Sequence, residues 1–380
     1  MSGSRSSQKP RIVIAGFGDS GLLTAIKLAR HADIVGISAK PALLSGQELG
    51  LRLARPKDWA RDNWVPFDKF RALDGVRTVQ ATLTGLDLEN RTVRGTAPDG
   101  SAIAEAYDVL VISTGVRNGF WRQPTMQTPG EIAADLTATH EKLAAAGSVS
   151  IIGGGAAAVS AAANVATAWP GKKVDLYFPG ERALTGHHVR AWEKLQGKLI
   201  GLGVGVHPGH RAVLPEGFDG DEITAEPVQW STGQPPAQAD AVLWAIGRVK
   251  PNTDWLPPEL LDDEGFVRVT PELQLCGHHH VFAIGDVAST DPLRASARAR
   301  ADSLLAHNIK ATLEDRPLKR YQAPKRRWGS IVGIQADGLE VFAPNGKAFT
   351  FPAWSVDRVV MPWIVRRGMY KGVRKNQPLA

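Results

Sequence analysis

IAGFGDSG, residues 14–21, and IIGGGAAA, residues 151–158, are the two stretches that decide the fold. Each is a short apolar run that closes on a glycine-rich turn, and each leads into residues at helical spacing. RIVIA (11–15) is a β-branched run suited to a buried parallel strand. Gly16, Gly18 and Gly21 then supply GxGxxG, and LLTAIKLARHA continues as a helix. The first glycine permits the tight turn, the second lets backbone approach a pyrophosphate, and the third lets helix pack closely on strand. The helix N-terminus, at Asp19 and Ser20, presents N–H groups and a positive dipole end to phosphates. SVSIIGGGAAAVSAAANVATAW repeats the logic with Gly153, Gly155 and Ala158. Its alanine run also suits a tightly packed or membrane helix, but the three glycines and the Ser, Asn and Thr within it argue against a membrane.

A dinucleotide site of this kind usually closes its second strand with Asp or Glu, about 20 residues after the turn, to hold a ribose hydroxyl. After the first turn that place holds Ser38, Ala39 and Lys40. Serine can still bond a ribose hydroxyl, and Lys40 can meet a phosphate. After the second turn, KVDLYF (173–178) ends in Phe178 and Pro179, with Glu181 and Arg182 just beyond. Arg182 near a second ribose would favour a 2′-phosphate, although a solvated arginine fits the position equally well.

Three more apolar runs frame the turns. YDVLVISTG (107–115) ends in Ser113, Thr114 and Gly115. ADAVLWAIGRVKPN (239–252) ends in an Ala-Ile-Gly-Arg turn containing Gly247. HVFAIGDVAS (280–289) reads as a strand closing on Gly285 and Asp286, with a helix running to about Asn308. Asp286 can be a helix cap; in this series it falls where a flavin ribityl chain would need an acceptor. His278–His280 read as the loop leading in, and neither they nor His187–His188 are expected to bind metal.

The order GxGxxG, STG, GxGxxA, AIGR-x-x-PN and AIGD, over residues 11 to about 315, resembles the two-dinucleotide-binding flavoprotein oxidoreductases. Within them, ISAKPALLSGQELGLRLA is similar to the branch containing type II NADH dehydrogenases, apoptosis-inducing factor and ferroptosis suppressor protein. The resemblance implies an α/β fold of two Rossmann-like, doubly wound domains, the second inserted in the first, plus a small C-terminal segment. The expected divisions are a disordered leader (1–10), an FAD-binding domain (11–122 and 253–318), an NAD(P)H-binding domain (123–252) and a basic C-terminal segment (319–380). It implies that Gly16, Gly18, Asp19, Ser20, Gly21, Ser38 and Lys40 hold FAD, with Thr114 and Gly115 lining the flavin and Gly285 and Asp286 at the ribityl chain. Gly153, Gly155, Ala158, Ser160, Arg182 and Gly247 would hold NAD(P)H. The branch often carries glutamate where Ser160 stands, and a glutamine pair where Ala299-Arg300 stands. No side chain is expected to act as an acid, base or nucleophile, because the flavin carries the redox chemistry.

Composition bounds the rest. The chain has 380 residues, 43% of them hydrophobic, enough for more than one domain. A single cysteine, Cys276, rules out an internal disulfide or a CxxC redox pair and suits a reducing cytoplasm. Net charge is +7, but residues 316–380 hold 13 Lys/Arg against three acids, so basicity belongs to that segment. There, D-G and N-G turns punctuate short strands. VDRVVMPWIVRRGMYKGVRK then mixes Val, Met, Trp and Ile with cations, and Pro362 is expected to interrupt a single long helix. The stretch suits an anchor on the inner face of an anionic membrane, or a lid with Trp354, Met361 and Trp363 in its core. Without a recognition motif, nucleic acid is not an expected partner; a second copy of the chain is a candidate one. The function expected is an FAD-dependent NAD(P)H oxidoreductase reducing a quinone or similar small acceptor. A soluble NAD(P)H:ferredoxin-type reductase, and a flavoprotein with little turnover acting as a scaffold, are the alternatives.

Overall fold

The computed structural model describes residues 9–45, 48–117, 119, 123–247, 249–293, 300–375 and 379. Two parallel sheets carry the fold. In the first, Arg11–Ala15 lies at the centre, with Asp33–Ser38 and Arg77–Gln80 to one side and Val109–Ile112 and His278–Ala283 to the other. Gln274–Leu275 adds an antiparallel edge. Chain order across the five parallel strands therefore reverses at the central strand, as in doubly wound sheets. The strands are continuous apolar runs because both faces are covered. Helices Asp19–Leu28 and Ala301–Leu313 pack on one face. An antiparallel meander of Thr82–Asp87, Thr92–Thr96 and Ala102–Ala106 contributes Leu83, Val93 and Ile103 to the core on the other.

The second sheet orders Gly205–His207, Lys173–Tyr177, Ser148–Ile152 and Ala241–Trp244, all parallel. It lies in the chain between the fourth and fifth parallel strands of the first sheet, so one Rossmann-like unit is inserted in the other. The outgoing and returning connections pair as a short antiparallel ladder, Val116–Arg117 with Lys250–Pro251.

The C-terminal segment forms a three-stranded antiparallel sheet, Ile334–Gln335, Gly338–Phe342 and Ala348–Pro352. Gly338 and Gly346 take positive φ at its two turns. The following coil does not break at Pro362: it continues over Val356–Met369 with wide, i→i+5 spacing. Its ends are tied down. Ile331, Val332 and Phe342 join the core of the second unit, and Tyr370 packs edge-on against Phe70 of the first at 5.2 Å. Arg374 adds a two-pronged pair to Asp74 at 2.8 and 2.7 Å.

Two local expectations change. His278–His280 are not a loop but the start of the last parallel strand. The helix expected after Asp286 is Ala301–Leu313, preceded by Arg300 at φ +58°; the 294–299 stretch, including Ala299, lies outside the described residues.

Candidate functional site

The glycines divide into those that shape the turns and those that open them. Gly16 has φ +95°, and a Cβ there would stand 2.4 Å from the Ser113 carbonyl. Gly21 is packed as tightly, with the Gly16 carbonyl oxygen 2.3 Å from its would-be Cβ. Gly153 repeats this in the second unit, at φ +140° and 2.1 Å from the Ala245 carbonyl oxygen. At Gly18 and Gly155, by contrast, a Cβ would meet nothing within 4 Å. These two face open space, and that space is one cavity of about 900 Å³.

Gly16, Gly18, Asp19 and Ser20 line it, as do Ser38 and Lys40, Thr114 and Gly115, Gly155 and Ser160, Gly247, and Gly285 and Asp286. Residues scattered over 270 positions of sequence are thus brought to one chamber, at the carboxyl ends of both sheets where ligands of open α/β sheets bind. Gly21, Gly153 and Ala158 are behind its wall, in packing positions. Arg182 is not at the wall either: its guanidinium donates to the Leu184 and Thr185 carbonyls at 3.2 and 3.4 Å. Phe178, where an acid was sought, is buried against Trp192.

Lys40 reaches across to the 125–127 stretch, donating to the Thr125 carbonyl at 2.5 Å and to Gln127 Oε1. Burial pulls its ammonium down to about 8, opposed by Asp135 and reinforced by Arg52. Ser38 Oγ accepts the Lys40 N–H at 3.1 Å. Ser160 Oγ accepts the Gly50 N–H at 3.2 Å, so this residue ties two helices together as well as facing the chamber. Asn252 Oδ1 is buried at the chamber with no hydrogen-bond partner among the described residues.

Several wall residues escaped the sequence reading. Glu48 and Arg52 come from the 37–54 stretch that carries the resemblance, His187 from the second unit, and Arg327, Trp328, Ser330 and Ile331 from the start of the C-terminal segment. The signals for them were the 37–54 stretch itself, for Glu48 and Arg52, and the Trp328, Ile331 and Val332 cluster amid basic residues. Among the described residues, no three His, Cys, Asp or Glu converge as metal ligands.

The open glycines, the two helix N-termini and the orphaned amide oxygen fit an elongated, phosphate-bearing ligand in the first unit and a second in the other. Comparison with known proteins agrees. The profile of the pyridine nucleotide-disulphide oxidoreductases matches residues 7–304. Oxidoreductase ptaL of Pestalotiopsis fici is 26% identical over 356 residues, 85% of this chain and 88% of the relative. Demethylphylloquinone reductase NdbB of Synechocystis is 25% identical over 404 residues, covering 94% and 96%. Among solved structures, the Bacillus anthracis CoADR-RHD protein superposes with a TM-score of 0.65 at 18% identity, covering 88% of this chain and 61% of that one. The chain belongs to the pyridine nucleotide-disulphide oxidoreductase family, whose members are FAD-dependent and take NAD(P)H as substrate.

Proposed function

We propose that this chain is an NAD(P)H dehydrogenase that delivers electrons to a quinone-like acceptor at an anionic membrane surface. The observation that carries the reading is the single chamber, walled by both glycine turns and by the first residues of the C-terminal segment. When bound, FAD would supply the redox chemistry between nicotinamide and acceptor. The protein's part is binding and alignment. Gly16, Gly18 and the Asp19–Leu28 helix N-terminus would take its pyrophosphate, Asp286 its ribityl chain, and Thr114 and Gly115 its ring. Gly155 and its helix would take the pyrophosphate of NAD(P)H. The one cysteine, Cys276, is exposed and is not among the residues that wall the chamber. Trp328 and Ile331 supply an aromatic and apolar wall suited to a quinone ring, and the name of the Synechocystis relative supports that acceptor class.

The surface half of the reading rests on exposure. Trp354 is 64% and Trp363 58% exposed, with Val359 and Ile364 also open. Both tryptophans are therefore outside any lid core. Arg358, Arg366 and Arg367 are exposed on the same stretch, Arg366 paired with Asp62 at 3.2 Å, and the Arg367 guanidinium lies 4.9 Å over the Trp363 ring. Apolar rings rimmed by cations suit the headgroup region of an anionic bilayer. No described helix is long and apolar enough to cross a membrane.

Anaerobic titration of the purified protein with NADH and NADPH, followed by a short-chain quinone, tests the reading. Bleaching of a flavin spectrum and its recovery on adding quinone are expected, with flotation on anionic vesicles at low salt. A colourless protein that takes up no FAD overturns the whole reading. Recovery with a ferredoxin but not with quinone overturns the acceptor. Indifference to anionic vesicles overturns the surface role.

A further inference from the structure

Behind the chamber wall, three segments meet at a buried polar knot. The second-turn helix, Ala156–Ala168, turns Ser160 and Asn164, one helical turn apart, towards the flavin-side helix Leu49–Ala54 and the 330–335 segment. Ser160 is 2% and Asn164 1% exposed. Gly50 lies so close that a Cβ on it would stand 2.1 Å from the Ser160 carbonyl oxygen and 2.6 Å from Asn164 Nδ2. Its N–H donates to Ser160 Oγ. Asn164 Nδ2 donates to the Ser160 and Val332 carbonyls, each at 2.9 Å. Its Oδ1 accepts from Gln335 Nε2 at 3.1 Å, which also donates to the Val332 carbonyl at 2.8 Å.

Apolar packing of equal volume would hold these segments together about as strongly. What a fully satisfied buried network adds is a single register. Here the register relates two walls of the chamber. Ala156, Ala157 and Ser160 face it from the second unit, and Glu48, Leu49 and Arg52 from the first. We propose that Asn164 is a positioning residue: bonded to Val332 and Gln335 and to the carbonyl of Ser160, and packed against Gly50, it holds in place the residue whose Oγ takes the Gly50 N–H, and so sets the separation between the two nucleotide sites and hence the rate of hydride transfer. The same knot accounts for serine at position 160, where a longer side chain would have to displace the Gly50 backbone. The kinetic part of this proposal rests on the reading of NAD(P)H oxidation above; the positional part does not.

The test uses Asn164→Leu and, should that variant not fold, the milder Gln335→Leu. Flavin content and spectrum are expected to match wild type, and nucleotide affinity to change little. Flavin reduction at saturating NAD(P)H falls about 10–100-fold, as small misplacements of reacting groups do. Spin labels on the exposed Cys276 and on Glu193→Cys, one in each unit, report the geometry without nucleotide. Their distance distribution is expected to shift or broaden in the variants. Unchanged distances in the folded variants overturn the proposal, as does a wild-type reduction rate. Should wild-type flavin resist both nucleotides, the oxidation reading fails, and the distances still decide whether Asn164 positions the units.

Discussion

Thr114 and Asn252 hold each other across the joint between the two units. Thr114 Oγ1 donates to the Asn252 carbonyl at 2.8 Å, and Asn252 Nδ2 donates to the Thr114 carbonyl at 2.9 Å. The Asn252 N–H completes the clasp on the Gly115 carbonyl at 3.0 Å. One residue follows the outgoing strand and the other closes the returning connection, so the joint is bonded crosswise. Thr114→Val keeps the shape and removes one donor. Stability is expected to fall by about 0.5–1.5 kcal/mol, the net worth of such a bond. Thermal or urea melting measures it. No change would mean that the clasp is dispensable.

The glycines of the first turn are expected to fail in different ways. Gly16→Ala puts a Cβ into the Ser113 backbone at positive φ, so folded, soluble protein is lost or its melting temperature drops sharply. Gly18→Ala meets no protein atom. It keeps the fold and takes up room at the cofactor's place, so flavin content per chain falls while the apoprotein melts normally. Absorbance near the flavin bands and circular dichroism separate the two outcomes.

Lys40 predicts a pH dependence. Burial depresses its ammonium from the ordinary 10.5 to about 8. Between those values the unfolded chain binds the extra proton, so the apoprotein gains stability from this group as pH rises from about 8 to 10.5. Below pH 8 the penalty on the buried charge is present in full. An anionic ligand beside Lys40 favours the ammonium, so ligand binding above pH 8 takes up a proton and weakens as pH rises further. Lys40→Met is expected to flatten both trends. Calorimetry in buffers of different ionisation enthalpy reads the proton uptake directly.

Trp363 and Tyr370, seven residues apart, are expected to answer to different assays. Trp363→Ser removes an exposed ring and changes stability by no more than about 0.5 kcal/mol, while flotation on anionic vesicles weakens. Tyr370→Ala removes a ring buried against Phe70 and costs on the order of 3–5 kcal/mol. A large loss of stability from Trp363→Ser would mean that the coil is packed rather than presented.

Arg182 is engaged with the Leu184 and Thr185 carbonyls, and Arg182→Ala is expected to loosen that turn without changing the ratio of NADPH to NADH rates. A selective loss with NADPH would return the residue to the ribose.

The strands, the two glycine turns and their order were legible in the sequence, because each is dictated locally. A β-branched run followed by glycines at fixed offsets allows few backbone paths. That is why the turns at Gly16, Gly18 and Gly155 and the strand end before Asp286 could be placed without coordinates, while a nucleotide for each turn is what the resemblance implies. Only tertiary structure decided which positions open on the chamber and which are filled by protein. Gly18 and Gly16 look alike in sequence and both line the chamber, yet a Cβ on one would enter open space and on the other would strike the Ser113 backbone, because the neighbouring strand comes from a hundred residues away. Likewise Arg182 is a free cation in the sequence and a bonded one in the fold, since backbone carbonyls two and three residues on curl back to it. Ser160 stands where the branch often carries glutamate; in the fold its Oγ accepts the N–H of Gly50, whose missing Cβ lets the two helices touch. Trp328 and Ile331 had no motif at all. Their place in the chamber wall follows from long-range burial of Val332 and Phe342 in the second unit, which no local pattern encodes.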